Sequence, residues 1–116
     1  TYINFISQIT GDTNLTPGTF FCSNYKSGDF LYPHTDGVEK RKISLVYNLS
    51  KNWKPWYGGN LVILTDWETN DVKRLVIPSF NTLNIMKVEN KINSYYVSHI
   101  LPNVKNKRLA ITGWFE

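Results

Sequence analysis

A mainly β domain, either a double-sheet jelly roll or a small barrel, with eight short antiparallel strands and one N-terminal helix, is the fold class this sequence predicts. Three observations carry that expectation. From about residue 17 onward the chain falls into short segments rich in Val, Ile, Leu, Thr and aromatic residues, punctuated by clusters of Gly, Pro, Asn and Asp. In the segment 41 to 49, Ile43, Leu45, Tyr47 and Leu49 fall on one face and Ser44, Val46 and Asn48 on the other, the period of a strand. Helical spacing shows only at the start of the chain, in Tyr2, Phe5, Ile6 and Ile9.

The elements follow in order. Residues 2 to 9 form a short amphipathic helix with one apolar face, stopped at Gly11, and that face is expected to cover the Ile43–Leu45 side of the sheet. After the Thr-Pro-Gly turn come strands at 19 to 25 (TFFCSNY), 30 to 35 (FLYPHT) and 41 to 49 (RKISLVYNL). The loop SKNWKPWYGG leads into 59 to 65 (GNLVILT), and then come 72 to 78 (VKRLVIP), 82 to 88 (TLNIMKV), 95 to 101 (YYVSHIL) and 108 to 115 (RLAITGWF). No repeat or linker interrupts them. With 116 residues the chain makes one domain, 1-116, with room for one core but not two, and its start at Thr1 suggests an N-terminally trimmed piece.

A formal charge of +4 suits an acidic partner, yet the Lys and Arg are scattered, so nucleic acid is not favoured. The single cysteine, Cys22, has no partner for an internal disulfide, and no apolar run marks secretion or membrane insertion. A cytoplasmic setting is expected. Phosphate-binding Gly loops, nucleophile elbows and CxxC pairs are absent from the sequence.

The chemistry centres on YPHTDG. His34 and Asp36 stand two apart on a strand, so an imidazole and a carboxylate leave the same face and can meet one ion. A His-x-Asp pair alone is common and is more often an ordinary structural pair than a metal site. The other histidine, His99, lies far along in SYYVSHIL; two His and one carboxylate with open positions are the ligand set of non-haem Fe(II) oxygenases. Arg108 follows nine residues later, across PNVKNK, where a hairpin would carry its guanidinium beside the metal. A guanidinium is a permanently charged, bidentate clamp for a carboxylate.

The runs YPHTDG, RKISLVYNLSKNW, YGGNLVI, IPSFNTLNIM, VSHIL and RLAITGWF, in that order, resemble the 2-oxoglutarate and Fe(II)-dependent oxygenase superfamily, in particular its prolyl 4-hydroxylase-like branch, from about Tyr25 to Phe115. The resemblance implies a double-stranded β-helix, the cupin-like jelly roll. It implies His34, Asp36 and His99 as catalytic iron ligands and Arg108 as the partner of the distal carboxylate of 2-oxoglutarate, with Tyr25 assisting. Asn48 falls where relatives carry a second assisting tyrosine, and is expected to face the pocket. Arg41 and Trp114 match positions facing substrate, and Trp53 and Trp56 in the loop before 59 to 65 are candidate contacts for a peptide or proline ring.

The cofactors so implied are Fe(II), 2-oxoglutarate and O2, with ascorbate as an optional reductant. The reaction is hydroxylation of a C–H bond, first of all of a prolyl residue in a peptide or protein, with release of succinate and CO2. Free amino-acid hydroxylation, nucleic-acid demethylation and a catalytically inactive jelly-roll binding module are the alternatives. The sequence does not fix the oligomeric state.

Overall fold

The computed structural model describes residues 1–37, 40–65, 68, 71–89 and 94–116. Trp67, a further loop aromatic, lies outside the described residues.

Helix α1 (Tyr2–Thr10) starts on Thr1, whose hydroxyl accepts from the Asn4 amide, and ends at Gly11 in the left-handed region, φ 76°. The Gly11 amide donates to the Ser7 carbonyl, which satisfies one of the last turn's free acceptors. The helix gives the core Ile6, fully buried against Leu15, Ile43, Leu45 and Phe115.

Eight strands follow among the described residues: β1 (Pro17–Tyr25), β2 (Leu31–Thr35), β3 (Ile43–Asn48), β4 (Leu61–Leu64), β5 (Val72–Val76), β6 (Thr82–Lys87), β7 (Ser94–Val97) and β8 (Arg108–Phe115), with a short 3-10 turn at Pro55–Tyr57. They form two four-stranded sheets, ordered β1-β8-β3-β6 and β2-β7-β4-β5, and every pairing is antiparallel. The jelly-roll expectation holds in this pairing of two sheets.

The alternation in β3 decides the layering. Ile43 and Leu45 face the helix, whereas Ser44 and Val46 face the opposite sheet and line a cavity there. A second cluster, Leu61, Tyr95 and Val97 with Tyr25 and Met86 against it, fills the space between the sheets. One layer of packing thus fixes the helix and another closes the sandwich around the cavity.

Two sequence expectations change here. The seventh strand ends at Val97 rather than 101, because the chain beyond it bonds to two turns: Ser98 exchanges backbone bonds with Gly59 and Asn60, and Ile100 with Gly28 and Asp29. Nor do β7 and β8 form a hairpin. They belong to different sheets, so the 98–107 connection crosses the sandwich and brings Arg108 to the cavity from the opposite wall.

Candidate active site

The cavity between the sheets has a volume of about 300 Å³ and is lined from one side by His34, Asp36 and Tyr95 and from the other by Tyr25, Arg108 and Trp114. His34 lies in β2 and Asp36 just beyond it, and their side chains meet at 3.5 Å, Nε2 to Oδ1. The imidazole Nδ1 sits 2.8 Å from the Tyr32 carbonyl, which only accepts, so Nδ1 carries the proton there. That hydrogen bond turns Nε2 toward Asp36 and fixes the ring as a ligating histidine's ring is usually fixed.

Asp36 is buried and well supplied with donors. Trp114 Nε1 donates to its Oδ2 at 2.8 Å, across the gap between the sheets. Burial by itself would raise the pKa of this carboxyl; hydrogen bonds from His34, Tyr95, Trp114 and Ser44 outweigh it and hold the value at about 2. The same contact with Asp36 raises the His34 pKa, against the opposing effect of burial. Tyr95, raised far above the ordinary phenol range by burial and then by its bond to Asp36, is a neutral hydroxyl.

Arg108 is 3% exposed, at the start of β8 and in register with Tyr25 on β1. Its Nε donates to the Gly59 carbonyl at 2.6 Å, and its guanidinium carbon lies 5.3 Å from the Tyr25 ring centroid. Burial lowers its pKa, with only Tyr25 opposing, and no carboxylate of the described residues pairs with it. A buried cation that lacks a counter-ion is costly, and an anion in the cavity would relieve it. The Tyr25 hydroxyl is itself raised in pKa, chiefly by burial. Arg41 stacks on Trp114, 3.7 Å from its ring, and both border the cavity.

Four expected site residues lie elsewhere. His99 is exposed beyond the end of β7 and stacks on Phe30 with ring centroids 4.0 Å apart; the structure does not bring it to His34 and Asp36. Among the described residues no group of three His, Cys, Asp or Glu converges. Asn48 shares the strand face of Ser44 and Val46, but its amide is tied to Thr82 and it does not line the cavity. Trp53 is buried with its Nε1 donating to the Gly58 carbonyl, a bond that closes the turn into β4. Trp56 is 68% exposed and borders a separate groove with Tyr57 and the 101–106 loop.

Sequence reasoning missed Tyr95, which pairs directly with His34. Its only signal is that residues 95, 97 and 99 leave a strand on the same face.

These residues fit one half of an iron and 2-oxoglutarate site. Arg108 suits a dicarboxylate, and His34 with Asp36 supply two metal donors, but no third His, Cys, Asp or Glu joins them among the described residues.

Known proteins supply an independent comparison. Residues 20–116 match the family model described as the 2OG-Fe(II) oxygenase superfamily. The chain is 33% identical over 97 residues to prolyl 3-hydroxylase OGFOD1 of Mus musculus, covering 81% of this chain and 17% of that protein. It is 30% identical over 121 residues to prolyl 3,4-dihydroxylase OGFOD1 of Ostreococcus tauri, covering 97% of this chain and 23% of that one. The chain therefore spans under a quarter of either relative. In fold it is similar to a Pseudomonas putida prolyl-4-hydroxylase, with TM-score 0.74 at 24% identity over 99% of this chain and 61% of the other. It is also similar to a Trichoplax adhaerens prolyl hydroxylase in complex with a hypoxia inducible factor oxygen degradation domain peptide fragment, with TM-score 0.68 at 21% identity over 97% of this chain and 55% of that one.

Proposed function

The chain belongs to the 2OG-Fe(II) oxygenase superfamily, and from that membership we propose that it is the cosubstrate-binding jelly roll of a prolyl hydroxylase-like oxygenase acting on a proline-containing peptide or protein. One observation carries the reading: a buried guanidinium with no carboxylate partner among the described residues shares a cavity with an oriented His–Asp pair. Arg108 holds the distal carboxylate of 2-oxoglutarate, with the Tyr25 ring packed beside the guanidinium to limit its motion. His34 presents Nε2 and Asp36 presents Oδ1 at the other end, the face where iron is expected. Arg41 and Trp114 form the wall past which a substrate side chain enters. The apolar lining, which includes Leu31, Val46, Leu61 and Val97, keeps water from the reacting carbon.

Titration with 2-oxoglutarate tests this directly. Wild-type protein should bind it, and Arg108→Leu should weaken binding roughly 30-fold or more, since losing one partner of a buried charged pair costs about 2–5 kcal/mol. Unchanged affinity in Arg108→Leu overturns the reading. Mass spectrometry for the gain of one oxygen on proline-containing peptides identifies the substrate.

A second reading, a dicarboxylate-binding module with little turnover, is favoured by the position of His99 away from the pair. Succinate formation in air separates the two.

A further inference from the structure

We propose that the third protein position at the His34–Asp36 pair belongs to Tyr95 and that His99 takes no part in it, so this chain offers a metal ion two strong donors beside a complete anion pocket. The inference rests on the oxygenase reading for what the pocket binds, but not for where the side chains stand.

Register is the first argument. His34 pairs with Tyr95 across β2 and β7, and their rings meet edge to face at 5.2 Å. The Tyr95 hydroxyl reaches Asp36, so it contacts both members of the pair. His99 lies four residues further on, and at about 3.3 Å per residue an extended chain carries it up to roughly 13 Å from the level of Tyr95. No side-chain rotation spans that.

The second argument is that the register is held from both sides. On the far edge of β7, Leu61 to Leu64 pair with Val97 to Ser94, and the Gly59–Asn60 turn continues the pairing: the Gly59 amide donates to Ser98, and the Ser98 amide to Asn60, each at 3.0 Å. Gly28 and Asp29 clasp Ile100 from the other side at 2.8 and 3.1 Å. Gly58 is shaped for this arrangement, since a Cβ there would stand 2.0 Å from the His99 carbonyl oxygen. Sliding His99 into the place of Tyr95 would preserve every strand face but break all of these bonds.

The phenol uses its proton on Asp36, and Trp114 holds that carboxylate from the other sheet. A divalent ion must therefore compete for a carboxylate already bonded, without a second imidazole to help. Arg108 is untouched by the exchange, so a dicarboxylate should bind with no metal added.

The test measures binding of Mn(II) alone and of 2-oxoglutarate alone to the 116-residue chain. His99→Ala, a surface change, should leave both affinities within about twofold, whereas Tyr95→His should tighten Mn(II) about tenfold or more, because groups that merely support a ligand already alter metal affinity about 10–100-fold. Adding His34→Ala to Tyr95→His should remove the gain. Should Tyr95→His fail to fold by circular dichroism, His99→Ala decides. A weakening of Mn(II) binding by about tenfold in His99→Ala, or no tightening in folded Tyr95→His, overturns the proposal. Either result with 2-oxoglutarate binding intact leaves the oxygenase reading standing, whereas absence of 2-oxoglutarate binding in every variant overturns both.

Discussion

Acidification should unlock the cavity through Asp36, and the size of the effect can be worked from its surroundings. Its carboxyl is held at about 2, against an ordinary 3.8. At about 1.4 kcal/mol per pH unit, that depression stabilises the folded chain by about 2.5 kcal/mol near neutrality. The sign follows from proton uptake: the unfolded chain binds this proton first as pH falls, so the contribution is full above the ordinary value and drains away below it. By pH 2 about 2 kcal/mol of it is gone. The assay is urea unfolding of wild type and Asp36→Asn from pH 6 to pH 2. Asparagine keeps the shape but cannot titrate, and the other carboxylates contribute equally to both curves. Wild type should therefore lose about 2 kcal/mol more than the variant over that range. Parallel curves, differing by less than about 0.5 kcal/mol, would refute the assignment of Asp36 as the bonded centre of the cavity.

Other expectations concern the same frame. In NMR titrations the His34 imidazole should titrate above the ordinary histidine value and fall back toward it in Asp36→Asn, since Asp36 is the main cause of its raised pKa. Its stabilising part is present below the ordinary value and lost as pH rises through the raised one, opposite in direction to Asp36. Trp114→Phe, which removes the 2.8 Å bond to Asp36, should cost about 1.5–3 kcal/mol in urea unfolding and make the protein more acid-resistant relative to its own neutral stability. Gly58→Ala should destabilise by about 2 kcal/mol or more, because its φ of 79° and the His99 carbonyl both exclude a Cβ. Ile6→Ala should cost about 2–5 kcal/mol if the helix is part of the cooperative unit, and under about 1 kcal/mol if it frays independently.

Most of the framework was readable because strand signals in this chain are local. Each segment from Phe20 to Phe115 carries β-branched or aromatic residues, and Gly, Pro, Asn or Asp punctuate the turns. The role of the helix was legible for the same reason: Ile43 and Leu45 share one apolar strand face that needs a cover, which Ile6 supplies. Arg108 was legible as an anion clamp, though not by the route expected, since it reaches the cavity from the sheet opposite β7. The register of β7 was not legible. Tyr95, Val97 and His99 share one strand face, so alternation places each of them equally well opposite His34. The choice is made by partners distant in sequence, namely the Gly58–Asn60 turn and Gly28–Asp29, whose backbone bonds no residue pattern announces. Trp53 misled for a different reason. An indole in a loop reads as a recognition ring, but here its N–H serves the Gly58 carbonyl and its body is buried, edge-on to the Tyr57 ring.

The cavity also has a division of labour by layer. His34 and Tyr95 hang from β2 and β7, and Asp36 follows directly after β2, whereas Tyr25 and Arg108 hang from β1 and β8 in the facing sheet. The two ends of the cavity therefore draw their polar groups from different sheets, yet they are not separate. Arg108 donates to Gly59 in the turn before β4, and Tyr25 packs against the cluster of Leu61, Tyr95 and Val97. The indole of Trp114 and the hydroxyl of Ser44 both reach across to Asp36 from the facing sheet, so drift at either position would be felt by both halves at once.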